Sequence, residues 1–476
     1  MAQLDLADIQ GTILRGYRVH HARHFVLAVV DPTGARAFLG TLVAGGSSLP
    51  QITTAAPWTT KPQTFLNVGI TFEGLAALGV PVDALATFPT SFRLGATDAT
   101  TAAKVGDVGE SAPSNWVAEL SDGSAVHILL SLWVHKSREV LEKASAALRA
   151  AFGAAVKELG VLDASALADN KVHFGYTDNI SQPTVEGAPP TKRPHPDSQP
   201  LAPAGEFLMG LPSQNVGNAP YTVTPVELST NSSFGAFRLL QQDVAGFEQF
   251  LKAGAAQIGI DPELLAAKVC GRWRNGVPLV LSPDTADPSP PIPDEDINNY
   301  NYVPPAEPTG GDYLGYSCPV GSHMRRSNPR NQQVVGGGGS LHRIIRRAMP
   351  YGPPFDASHP DSQPRGLVGW FINVDLANQF EFVMENWVNT STFVMSVRDP
   401  KNPGVNPVFN ISGQDVLLGV NEPAATTSFT VSFPATATTP ATNKKVTGFG
   451  PFVTTRGGAY CYLPSITALR YLADLV

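Results

Sequence analysis

Strand-length apolar runs, each followed by a helical pattern, recur in both halves of this chain, and that alternation most limits what it can fold into. In the first half, His24 to Val30 leads into a helical pattern over Arg36 to Leu42, and Thr64 to Thr71 into a helix over Glu73 to Leu78. Val126 to Val134 is the strongest strand, and Ser137 stands where it would cap a helix reaching about Phe152. The second half repeats the pattern. Ser233 to Leu240 precedes a helix capped by Asp243 and running through Leu251, and Gly366 to Val374 precedes a helical segment from Leu376 to Trp387. The spacing is too irregular for a strictly parallel doubly wound sheet. It predicts a pseudo-duplicated α+β architecture, with one half over residues 1–225 and the other over 226–476.

Composition narrows the function classes. Apolar residues make up 43% of the 476, enough for a substantial core. Only 15% are charged and the formal balance is −7, so there is no general basic field for nucleic acid. Cys270, Cys318 and Cys461 lie far apart with no CxxC spacing, which argues against a disulfide framework or a cysteine zinc site and suits reduced thiols. The N-terminus has early acids and no signal-like apolar run, and no stretch reaches the ~18 apolar residues of a membrane span. The expectation is a cytoplasmic protein, or one otherwise lacking its own signal peptide, with no membrane partner; a trimmed precursor would read the same. Two long Pro-rich stretches, Gly187 to Gly205 and Ser282 to Gly311, read as loops, and ordered loops of that length are usually functional or cover a site.

Several chemistries leave no trace. There is no HExxH among the 10 histidines, no GxGxxG or phosphate-binding loop, and no GxSxG elbow. What remains is local. Cys318 to Arg330 (CPVGSHMRRSNPR) sets His323 beside Arg325, Arg326 and Arg330, and His342 to Gly352 (HRIIRRAMPYG) adds Arg343, Arg346 and Arg347. Such a cluster in an acidic chain is either a solvated face or an anion site for carboxylates or phosphates. In His173 to Pro183 (HFGYTDNISQP), Asp178 is the lone charge of a turn, where Asp is ordinarily an Asx cap.

Together these three segments resemble the signature of the dye-decolorizing peroxidase family. The family's GxxDG appears as Gly175 to Asn179 followed by ISQP, its ligand segment as CPVGSHMRRSNPR, and its distal-arginine segment as HRIIRRAMPYG. Stretches at 7–17, 205–210, 231–247, 266–280 and 366–387 extend the likeness over nearly the whole chain. The resemblance implies an α+β fold of two ferredoxin-like halves, with antiparallel sheets and surrounding helices, and a haem pocket mainly in the second half. It also implies haem b, one per chain, and oxidation of dyes and phenolic donors by hydrogen peroxide.

On this resemblance His323 is the haem ligand, and Asp415, in SGQDVLLG, is the carboxylate that accepts its other N–H. Asp178 is the acid/base and Arg346 the cation that stabilises developing charge. Arg325, followed by Arg330, is the partner for a haem propionate. Two positions depart from the pattern. Asn179 replaces the second Gly of GxxDG, and Gly369, two residues after Leu367 of the pocket wall, stands where the family has a distal Phe. Asn tolerates a left-handed backbone, so the turn is expected to survive; loss of the ring is expected to open the peroxide side. The alternatives are a haem-binding, storage or sensing protein of the same fold with weak peroxidase activity, and a structural protein that has lost haem. Tyr313, Tyr316, Tyr351, Trp370 and Trp387 are candidate electron relays, but aromatics of this kind are ordinarily core.

Overall fold

Among the described residues, ten segments pair as antiparallel strands. The computed structural model describes residues 3–45, 49–189, 198–303, 311–332, 334–394 and 413–475. The strands are β1 (His21–Val29), β2 (Thr64–Ile70), β3 (Ile128–Val134), β4 (Val156–Ser165), β5 (Ser233–Gln242), β6 (Ile345–Tyr351), β7 (Gly366–Asn373), β8 (Ser428–Phe433), β9 (Thr442–Thr447) and β10 (Val453–Leu463). Eight of them form one sheet in the order β4-β1-β3-β2-β10-β5-β7-β6, and β8 pairs with β9 in a separate hairpin. Within the large sheet, the first four strands run fourth, first, third, second, and β10-β5-β7-β6 repeats that order for the other four. The duplication is therefore topological, in keeping with the two ferredoxin-like halves.

The two quartets are not separate sheets. A single register pair, Tyr462 opposite Ile70, joins β10 to β2. At the far ends β4 and β6 lie against each other, so the sheet curls back on itself. Aromatic packing crosses the junction, with the His24 ring 5.1 Å from Phe237 and Phe237 5.0 Å from Trp370. Both halves thus share one core.

The helix signals hold with local changes. Ser137 caps Arg138–Phe152 by accepting from Val140 N, and Asp243 caps Val244–Ile258 by accepting from Gly246 N. The latter helix continues past Leu251 because Ala255 and Ile258 stay on its buried face, and it stops where Gly259 adopts φ 72°. Behind β7 the expected α-helix is instead π-helical over Ala377–Glu381 and Val383–Val388. Its turns are widened, with Glu381 N donating to Leu376 O, around the buried Gln379, whose amide donates to Glu206 O and Arg343 O. The three cysteines are free and buried. Among the described residues no helix is long and apolar enough to cross a membrane.

Candidate active site

His323 opens a short helix, His323–Ser327, directly after Ser322. Its Nδ1 bonds to Asp415 Oδ2 at 2.9 Å. Asp415 is fully buried, and its other oxygen accepts from Leu417 N at 2.8 Å and Leu418 N at 2.9 Å, so the carboxylate cannot turn away. Burial raises the Asp415 pKa, but His323 and then Arg326 outweigh it, and the net direction is downward. Arg326 sets this arrangement. Its buried guanidinium donates to the carbonyls of Gly321, Trp387, Thr390 and Gly413, which ties the histidine helix to the segment leading into Asp415. Burial lowers the Arg326 pKa to about 10.

Asp178 lies on a loop fastened at several points. Tyr176 Oη donates to Ala266 O at 2.8 Å, His173 Nε2 bonds to Tyr351 O at 2.8 Å, and Thr177 N donates to Arg274 O at 3.0 Å. Gly175 has φ 85° and packs under Arg274, whose guanidinium would lie 2.7 Å from any added Cβ. Asn179 adopts φ 61°, the left-handed conformation expected of a residue replacing glycine. The Asp178 carboxylate has no hydrogen-bond partner among the described residues, so it does not serve as an Asx cap. Arg346, on β6, joins this loop directly. Its Nη2 donates to Ser181 O at 2.7 Å, and its backbone N–H and C=O both pair with the Gln182 amide.

His323, Asp178, Asn179, Arg330, Arg346 and Leu367 line one cavity of about 980 Å³. That is the upper end of the size usual for sites holding a cofactor or small ligand, about 300–1,000 Å³. Leu367, Phe371, Phe380, Met384 and Leu418 give it apolar walls. A flat apolar macrocycle carrying two carboxylates fits this lining, and His323 brings a ring nitrogen, Nε2, that has no protein partner among the described residues.

A dye-decolorizing peroxidase from Mycena epipterygia is 30% identical over 99% of this chain and 87% of its own length. The chain belongs to the dye-decolorizing peroxidase family. It is accordingly a haem peroxidase. Among solved structures, a dye-decolorizing peroxidase in complex with 2,6-dimethoxyphenol matches with a TM-score of 0.78 at 28% identity, covering 99% of this chain and 100% of that one. The DyP-type peroxidase of Auricularia auricula-judae matches with a TM-score of 0.80 at 25% identity over 100% of both chains. No protein-family model matches.

Within this dye-decolorizing peroxidase, two expectations need correction. Arg325 is fully buried away from the cavity, where Nε donates to Gln332 Oε1 at 2.8 Å and Nη1 to Cys318 O at 2.6 Å and to Asp312 at 3.3 Å. Its charge is used inside the fold and does not line the cavity. Gly369 does not leave a gap on the peroxide side: a Cβ there would lie 2.2 Å from Arg347 O and 2.5 Å from Ala348 Cα, against the neighbouring strand. Arg330 does reach the cavity, with its guanidinium satisfied by Asn298 O at 3.0 Å, by Tyr300 O and by Ser198 O at 3.3 Å. Of the Pro-rich stretches, Ser198 to Pro200 and Tyr300 to Tyr302 form wall, while His195 lies outside the described residues. Among the relay candidates, Trp370 and Trp387 are buried. Thr12, Tyr17, Arg18 and Trp133 form a further wall that no catalytic motif marks, although Thr12 and Tyr17 fall within the 7–17 stretch of the resemblance.

Proposed function

We propose that this chain binds one haem b through His323 and uses hydrogen peroxide to oxidise dyes and phenolic donors, with Asp178 and Arg346 acting on the peroxide. The observation that carries this reading is the shared cavity: His323, oriented by a 2.9 Å bond to a buried carboxylate, lines the same space as Asp178 and Arg346. Bound haem iron supplies the redox centre for O–O cleavage. The chain's own groups do the rest. Asp415 fixes the tautomer in which Nδ1 carries the proton, leaving the Nε2 lone pair for a metal. The uncapped Asp178 carboxylate takes a proton from one peroxide oxygen and returns it to the other, so that water leaves. Arg346 holds a fixed positive charge beside that transfer and is held in place by Ser181 and Gln182. Arg330 supplies a cation for a haem carboxylate. The test is His323→Ala, which should lose the Soret band and peroxide-dependent bleaching of an anthraquinone dye. An unchanged Soret band would refute the ligand assignment, and a wild-type Soret band without turnover would favour haem storage.

A further inference from the structure

The charges around the cavity are one-sided. Among the described residues six arginines line it, Arg18, Arg272, Arg330, Arg343, Arg346 and Arg347, against a single carboxylate, Asp178. Among the described residues none of the six is in an ion pair; five of them donate to backbone carbonyls. Two haem carboxylates would still leave an excess of three positive charges, in a chain whose balance is −7.

The excess continues outward on one side. Arg18 is exposed and lines the cavity, so it stands at the mouth. Lys61 Nζ donates to Arg18 O at 2.7 Å and lies 3.3 Å from His135 Nδ1. The His135 ring is 5.1 Å from that of His20, whose Nδ1 accepts from the backbone N of the exposed Lys136. Burial, then Arg18 and Lys136, lower the Lys61 pKa, with no carboxylate acting on it in the other direction. Tyr17 and Trp133, 6.4 Å apart, line the cavity just inside this rim. Fixed cations beside aromatic walls recognise a ring that carries an anionic group.

We propose that the Arg18–Lys61–Lys136 rim is a docking site for anionic aromatic electron donors, those bearing a carboxylate or sulfonate. This selectivity rests on the peroxidase reading, but the docking itself involves no chemistry and is measurable without peroxide. In the haem-loaded protein, calorimetric titration should show naphthalene-1-sulfonate binding about tenfold or more tighter than 1-naphthylmethylammonium at low salt, with the gap closing above about 0.3 M salt. The double reversal Arg18→Glu/Lys136→Glu should abolish the preference with the Soret band unchanged. If that variant misfolds, Arg18→Gln/Lys136→Gln should reduce it. Equal affinity for the two probes in the wild type, or a preference that survives the substitutions, overturns the proposal. Failure to oxidise a neutral phenol with peroxide would instead sink the peroxidase reading and leave the binding comparison standing.

Discussion

Replacing Asp415 with Asn separates the orienting role of the carboxylate from its role as a fold anchor. Asp415 Oδ1 accepts from Leu417 N and Leu418 N, and Oδ2 accepts from His323 Nδ1. An Asn side chain can keep its carbonyl oxygen on the two backbone donors and so avoid orphaning them, at about 1–3 kcal/mol each. Its NH₂ then faces His323 Nδ1, which must become the acceptor. The ring proton moves to Nε2, the nitrogen that the ligand role requires to be bare. Loss of such an orienting partner typically costs 10–100-fold in metal affinity, or about 1.4–2.8 kcal/mol. Haem transfer to excess apomyoglobin, followed at the Soret band, should therefore be roughly 10–100-fold faster for Asp415→Asn. The melting temperature of the haem-free protein should change less than in Asp415→Ala, which leaves both N–H groups unpaired. A haem-transfer rate equal to wild type would refute the tautomer argument and with it Asp415 as the orienting residue.

Three further outcomes follow from the geometry. Asp178→Asn should retain haem and lower kcat/KM for peroxide by about 10²–10⁴-fold, and Arg346→Leu by about 10²–10³-fold, in stopped-flow mixing; an unaltered rate removes either residue from the mechanism. Gly369→Phe should destabilise the protein by at least about 1–3 kcal/mol in urea titration, because the new Cβ meets the β6 backbone; a neutral effect would mean that β6 yields at that point. His24 is fully buried, and burial pushes its pKa down to about 3. The unfolded chain then takes up a proton below about pH 6.5 that the native state refuses. Stability is full above that pH and falls by up to about 1.4 kcal/mol per pH unit between about 6.5 and 3. The slope should flatten in His24→Asn, which can still accept the bond from Ser131; identical slopes would exclude His24 as the source.

The strands and the catalytic signature were legible because each is local. Apolar or alternating runs mark β2, β3, β5 and β7 within two residues and β1 within three, and the Asp178, His323 and Arg346 segments each keep their chemistry within about a dozen residues. What the sequence hides is long-range. The join between the two quartets is one register pair between residues 70 and 462. Arg325, the residue expected to face a propionate, is consumed by Asp312 and Gln332, and its neighbour Arg326 by carbonyls that include Thr390, more than 60 residues away. A pattern reader sees two cations beside a ligand, and only packing shows that neither reaches the cavity. The π-helical turns behind β7 escape for the same reason, since they follow from where Gln379 finds its acceptors.

The Arg346-Arg347 doublet shows how the same letters carry different work. Both side chains line the cavity, but each is tied to a different part of the chain. Arg346 binds Ser181 O and fixes β6 to the loop bearing Asp178, while Arg347 Nε binds Thr12 O at 2.8 Å and fixes it to the N-terminal segment. Burial lowers the Arg347 pKa to about 10, with Tyr17 opposing the shift. Each arginine stays a cation held by neutral carbonyls, so its charge is left for the cavity instead of being cancelled by a carboxylate. That choice of partner, repeated at Arg330 and Arg343, lets an acidic protein line its cavity with uncancelled cations.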